Sequence, residues 1–177
     1  MILQAGELRA AGDKIGKLAT SALRHFIKLQ GHQYTGTLAD SIEFDVNITD
    51  TGMLISFYSE KYGIYVNKGV TAARIPFGGR TGKGGTSKYI QALIGYAKGK
   101  LGIGNEKEAT RVAFKIAYAH KKGGMPTEKS RIFSKNGQRT NFMQNALDFI
   151  EEELALIISD FTFLFIDIIF AENNPQT

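Results

Sequence analysis

Few side chains in this sequence have types that do chemistry. Histidine occurs only at His25, His32 and His120, and cysteine nowhere. That removes disulfides, thiolate nucleophiles and Cys-ligated zinc or iron–sulfur sites. Three imidazoles leave little for a His-rich metal site. Ser41 follows Asp40, and with His25 or His32 it can be drawn as a hydrolase triad, but no oxyanion-hole motif accompanies it. Gly82-Lys83 invites a phosphate-loop reading. That loop needs Gly five residues earlier, where Phe77 stands, and Ser or Thr after the Lys, where Gly84 stands. Glu151, Glu152 and Glu153 are adjacent, so they diverge around a helix. No catalytic residue, metal site or cofactor is expected.

Charge is the stronger signal. The 177 residues, 43% hydrophobic and 22% charged, suit one globular domain. The net charge of +5 hides a segregation. Residues 1–67 net −1, residues 68–139 carry sixteen Lys and Arg against three acids for +13, and residues 140–177 net −7. A dense basic block fits phosphate, an acidic protein surface or a solvated face. Met1–Glu7 lack the basic start and apolar core of a secretory leader, and none is expected. Leu154–Phe170 is the most apolar stretch. Asp160 and Asp167 interrupt it, at about 3 kcal/mol each in mid-bilayer, so it reads as buried core and not as a membrane span.

The elements that must carry these residues follow from periodicity. Residues 2–30 predict an amphipathic helix with Leu8, Ala11, Ile15, Leu18, Ala22, Phe26 and Leu29 on one stripe and Gly31 as its cap. Gly6, Gly12 and Gly16 weaken its propensity, so it needs tertiary packing or a backbone approaching those glycines. His25 lies beside the stripe as a structural histidine. Thr37 opens a short helical turn. Ile42–Ile48 and Leu54–Tyr58 form a hairpin around Asp50-Thr51-Gly52. A short helix around Tyr62 and Tyr65 closes at Gly69, a position that calls for positive φ. Residues 75–86 are a mobile loop, 89–98 and 106–122 are helices, and 125–140 form a polar, basic loop. Residues 141–159 are helical, 160–170 read as a buried strand pairing with the hairpin, and 171–177 are tail. The fold class is α+β: a small antiparallel sheet packed against long N-terminal and C-terminal helices, with an inserted basic, Gly-rich helical subregion. One domain spans 1–177, with 70–140 as the insertion.

Three short stretches carry a resemblance. Tyr34-Thr35-Gly36-Thr37-Leu38-Ala39-Asp40-Ser41-Ile42 resembles the Thr-Gly-x-Leu-x-x-Ser-Ile signature of the tail-completion, or minor tail-component, family of long-tailed double-stranded DNA phages. Tyr62-Gly63-Ile64-Tyr65-Val66-Asn67-Lys68-Gly69 is similar to its second signature, Tyr-Ala-x-Tyr-Val-Glu-x-Gly-Thr, with Gly63, Asn67 and Val70 as departures. Asn141-Phe142-Met143-Gln144-Asn145-Ala146 is similar to Pro-Phe-Leu-x-Pro-Ala at the start of the family's last helix, without either proline. The order of the stretches also agrees.

The resemblance implies a virion structural protein of the neck or tail, assembled in the host cytoplasm. It would form a homo-oligomeric ring of six or more copies that completes or joins the tail at the head–tail junction. Adjacent neck or tail proteins are the implied partners, with non-specific contact to packaged DNA and no membrane. Thr35, Gly36, Leu38, Ser41, Tyr62, Tyr65, Gly69 and Phe142 are the motif and interface residues. The loop carrying Arg74, Arg80, Lys83 and Lys88 is the expected DNA- or partner-facing part of the insertion, and loops 70–88 and 123–140 are expected to order on docking. The alternative function is a non-specific nucleic-acid-binding module.

Overall fold

The structure, a computed structural model, describes the backbone of residues 2–49, 52–79 and 87–172 and the side chains of 6–49, 52–79 and 87–160. Its fold is α+β. In chain order come α1 (Ile2–Leu29), α2 (Thr37–Asp40), β1 (Glu43–Thr49), β2 (Gly52–Tyr58), α3 (Gly63–Lys68), a 3-10 turn (Ala72–Arg74), α4 (Lys88–Gly99), α5 (Glu106–Gly123), a second 3-10 turn (Glu128–Phe133) and α6 (Phe142–Glu172). The chain divides into two compact units. The first comprises Met1–Lys28, Thr37–Glu60 and Phe142–Thr177, and the second Leu29–Gly36 and Lys61–Asn141. Charge follows this division: the first unit nets −9 and the second +14.

In the first unit β1 and β2 pair antiparallel, with Val46 opposite Ile55 and Phe44 opposite Phe57. The alternation of β1 turns Phe44, Val46 and Ile48 inward and Glu43, Asp45 and Asn47 to solvent. The sheet meets α1 at its glycines. A Cβ on Gly12 would stand 2.6 Å from Val46 Cγ1, and one on Gly16 2.2 Å from Phe44 Cδ2. Only a residue without Cβ lets the strand side chains come this near. Thus the buried arc of α1 includes Gly12, Gly16, Thr20 and Ile27, beyond the stripe that apolar spacing predicts. Ala19 and Ala22 pack on Ala146 and Ile150 of α6, with Leu18, Leu23 and Phe26 around them.

The expected strand over 160–170 is corrected: α6 continues to Glu172. No Gly or Pro lies between Phe142 and Glu172 to stop the helix. Among the described residues the sheet has two strands only. The expected burial of the stretch that opens at Leu154 is corrected as well. Of residues 154–160 only Ile157 is buried, while Leu156 and Ile158 are exposed. The side chains of 161–170 lie outside the described residues. Among the described residues no helix is long and apolar enough to cross a membrane.

The second unit has its own core. Ile75, Phe77, Ile90, Ala113 and Ala117 are buried together, with Val70, Leu93, Phe114 and Met125 against them. Asn105 caps α5 by accepting from the Lys107 and Glu108 amides, Ser87 caps α4 by accepting from Ile90, and Gly124 closes α5. The mobile loops expected at 70–88 and 123–140 are corrected in their described parts. Val70 and Met125 exchange backbone hydrogen bonds, and the Lys135 amide donates to Leu29 O. Burying Ile75 and Phe77 is worth about 1.5–3 kcal/mol each, enough to pin the segment after Arg74 to the helices.

Candidate functional site

The first signature is spent on local structure. Gly36 adopts φ +80°. Leu38, Ala39 and Ile42 are buried. The Ser41 hydroxyl donates to Leu38 O at 3.0 Å and accepts from the Glu60 amide at 3.1 Å. That hydroxyl ties the α2 turn to the end of the hairpin. Arg24 reaches across from α1, donating from Nε to Ala39 O at 3.0 Å and from Nη2 to Ile42 O at 2.9 Å. Thr35 is exposed at the bend before Gly36.

The second signature builds a surface. Gly69 ends α3 at φ +76°, with its amide on Tyr65 O, and a Cβ there would meet Met125 O at 2.7 Å. The short helix it closes leaves Tyr62, Ile64 and Tyr65 at 42%, 53% and 55% exposure. Both tyrosines are therefore surface side chains, outside the core of the second unit. Phe142, the first residue of α6, is 1% exposed. Asn141, where the family pattern has Pro, adopts φ +61° and donates its amide to Asn67 O at 2.7 Å. Proline can do neither, since its ring fixes φ near about −65° and it has no N–H.

Of the expected basic loop, Arg74 is exposed on the first 3-10 turn and Lys88 is exposed at the start of α4. Arg80 and Lys83 lie outside the described residues. A cationic surface that the sequence reading passed over lies on α5. Lys107, Arg111, Lys115, Tyr118 and Lys122 are all exposed, and at 3.6 residues per turn they fall within an arc of about 80°. Ala109, Ala113 and Ala117, which are buried, occupy the opposite side. The signal was a cationic period of four residues, hidden behind the apolar period of the same helix. Among the described residues the one ion pair is Lys98–Glu106, so no carboxylate is in ion-pair contact with this arc.

The histidines are accounted for individually. His25 is exposed and packs on Phe26 and Phe149, with ring centroids 5.4 and 6.0 Å away. It lines an open groove of about 740 Å³ in the first unit, beside Lys17, Arg24, Lys28, Ile42 and Phe44. His32 donates from Nε2 to Arg139 O at 3.1 Å. Its pKa is lowered to about 4, by burial first and the Arg139 charge second. His120 Nδ1 lies 2.7 Å from Tyr89 Oη, and burial pushes the histidine down and the tyrosine up, so both are neutral near pH 7. The hydrogen-bond partners of His32 and His120 are thus a backbone carbonyl and a tyrosine hydroxyl, not a serine or a carboxylate. No group of His, Asp or Glu among the described residues is arranged to hold a metal ion. The second unit presents exposed aromatics at α3 and like-charged exposed side chains on α5, and the first unit presents exposed aliphatics on α6. No protein-family model, curated protein or solved structure matches the chain.

Proposed function

We propose that the chain is a structural subunit of a phage neck or tail, repeated in a ring that completes or joins the tail at the head–tail junction. It works by docking to copies of itself and to adjacent neck or tail proteins, not by catalysis. One observation carries the reading: the second signature, Tyr62–Gly69, is folded into a six-residue helix that holds Tyr62, Ile64 and Tyr65 at the surface. Large, stiff aromatic side chains exposed on a short closed element suit an interface, because ordering them costs little and covering them gains much. Leu156 and Ile158 on α6 add aliphatic surface of the same kind. The opposite net charges of the two units, −9 and +14, supply complementarity for a head-to-tail contact between copies, the kind of interface that closes into rings. The Asn141 backbone is where the resemblance is weakest, since no proline fits there.

The test is genetic and structural. Particles purified from the encoding genome should contain the chain at one ring's worth of copies, visible by electron microscopy at the neck or upper tail. Deleting the gene should leave heads and tails unjoined. Wild type supplied in trans should restore joining, and Tyr62→Ser/Tyr65→Ser should not. Complete, infectious particles lacking the chain would overturn the reading.

A further inference from the structure

The cationic arc of α5 has an identifiable partner chemistry. Lys107, Arg111, Lys115 and Lys122 are exposed along one side of the helix with Tyr118 among them, over about 22 Å at 1.5 Å rise per residue. Ordinary solvated helix faces intersperse both signs. Here Glu108 flanks the arc and Glu106 is engaged by Lys98. The elements packed against α5 add no acid: α4 carries Lys88 and Lys98, and the first 3-10 turn carries Arg74. From Lys61 to Asn105 there is no Asp or Glu. Tyr118 is set edge-on against the buried Phe77, with ring centroids 4.9 Å apart, which fixes its ring on the arc.

We infer that this face of α5 is a docking surface for double-stranded nucleic acid, contacting the phosphate backbone without reading sequence. Duplex DNA presents one negative charge per about 1.7 Å of axis, so a stripe of this length faces about a dozen phosphates. Among the exposed side chains of the arc there is no Asn or Gln, the residues that pair with adenine edges. Long cationic side chains with an aromatic between them suit contacts to backbone phosphates, which carry no sequence information. The inference stands apart from the assembly reading, since a ring protein or a free module could each carry the face.

The experiment uses the full chain and a fluorescent duplex of about 25 base pairs of arbitrary sequence, with affinity read by anisotropy across a salt series. Four phosphate contacts give a slope of log K against log salt of about −3 to −4. Arg111→Gln/Lys115→Gln/Lys122→Gln should reduce that slope by about 2 to 3 and weaken binding at least about tenfold at low salt. Lys129→Gln/Arg131→Gln/Lys135→Gln removes the same charge from exposed positions elsewhere in the second unit, and it should leave most of the slope intact. Circular dichroism verifies the helices, and single variants give the same reading if the triple loses them. Equal effects from the two triples would overturn the inference, because binding would then follow net charge alone. So would absence of duplex binding at low salt. Displacement of the duplex by poly-glutamate at equal charge concentration would also overturn it and assign the face to an acidic protein.

Discussion

Replacing Gly16 with Ala tests whether the sheet sits against the α1 backbone as described. The added methyl carbon would stand 2.2 Å from Phe44 Cδ2, 2.3 Å from Cε2 and 2.8 Å from Cγ. Carbon atoms in contact need about 3.5–4.0 Å, so the ring must retreat by more than about 1 Å. Phe44 is paired with Phe57 across the hairpin, and that ring restricts its retreat. Overpacking of this kind costs about 1–3 kcal/mol. Ala returns about 1 kcal/mol of helix propensity, leaving a net loss of about 0–2 kcal/mol. Gly95, inside α4, provides the contrast, because a Cβ there meets nothing within 4 Å. Gly95→Ala should gain about 0.5–1 kcal/mol. The assay is urea unfolding followed by far-UV circular dichroism, with the midpoint compared at constant m-value. Phe44→Leu should partly rescue Gly16→Ala, a favourable coupling in a double-mutant cycle. Gly16→Ala as stable as Gly95→Ala, or a strictly additive cycle, would refute the packing.

Two further outcomes follow. His32 is held neutral in the native state with a pKa of about 4 against an ordinary 6.5; its contribution is therefore full above pH 6.5 and is lost as pH falls toward 4, because the unfolded chain takes up a proton the native chain refuses. Urea midpoints should fall between pH 7.5 and 4.5, and His32→Gln should flatten part of that fall, an unchanged profile telling against the assignment. Ser41→Ala removes the hydroxyl that donates to Leu38 O and accepts from the Glu60 amide; a loss of about 1–2 kcal/mol in the same assay is expected, and no loss would mean the hydroxyl does not hold the hairpin end.

What was legible in the sequence was local. The hairpin showed in the alternation of Phe44, Val46 and Ile48 with Glu43, Asp45 and Asn47, because side chains on a strand have period two whatever lies across from them. Helices α4 and α5 began within a residue of their predicted starts, where Ser87 and Asn105 supply caps. The Gly69 stop showed because glycine takes without strain the positive φ that ends a helix. Tertiary partners were not legible. Gly12 and Gly16 counted against α1 as poor helix formers, yet they are the points where the sheet docks. Residues 160–170 have the composition of a strand, but composition does not reveal whether an edge exists to receive one. Ile75 and Phe77 stood in a glycine-rich run whose texture outweighed two apolar residues, and only the cleft between α4 and α5 explains their burial.

The candidate surfaces show the same division. Tyr62 and Tyr65 were identifiable from their motif, though their exposure was not. The α5 arc could have been found from spacing alone, by asking where cations repeat as well as where apolar residues do. The two kinds of surface respond to salt in opposite senses, which bears on how they combine. Phosphate docking on α5, as proposed, would release counterions and weaken steeply as salt rises. Contacts through Tyr62, Tyr65 and Leu156 bury apolar area and are indifferent to simple salt, or strengthened by strongly hydrated anions. In the proposed ring, charge attraction between the −9 unit of one copy and the +14 unit of the next would draw on the same cations that a duplex would occupy. On the two proposed readings, nucleic acid and a neighbouring acidic unit would compete for the second unit, and the exposed apolar side chains would not enter that competition. A ring held by those apolar surfaces leaves α5 available to a duplex. A ring held by charge does not.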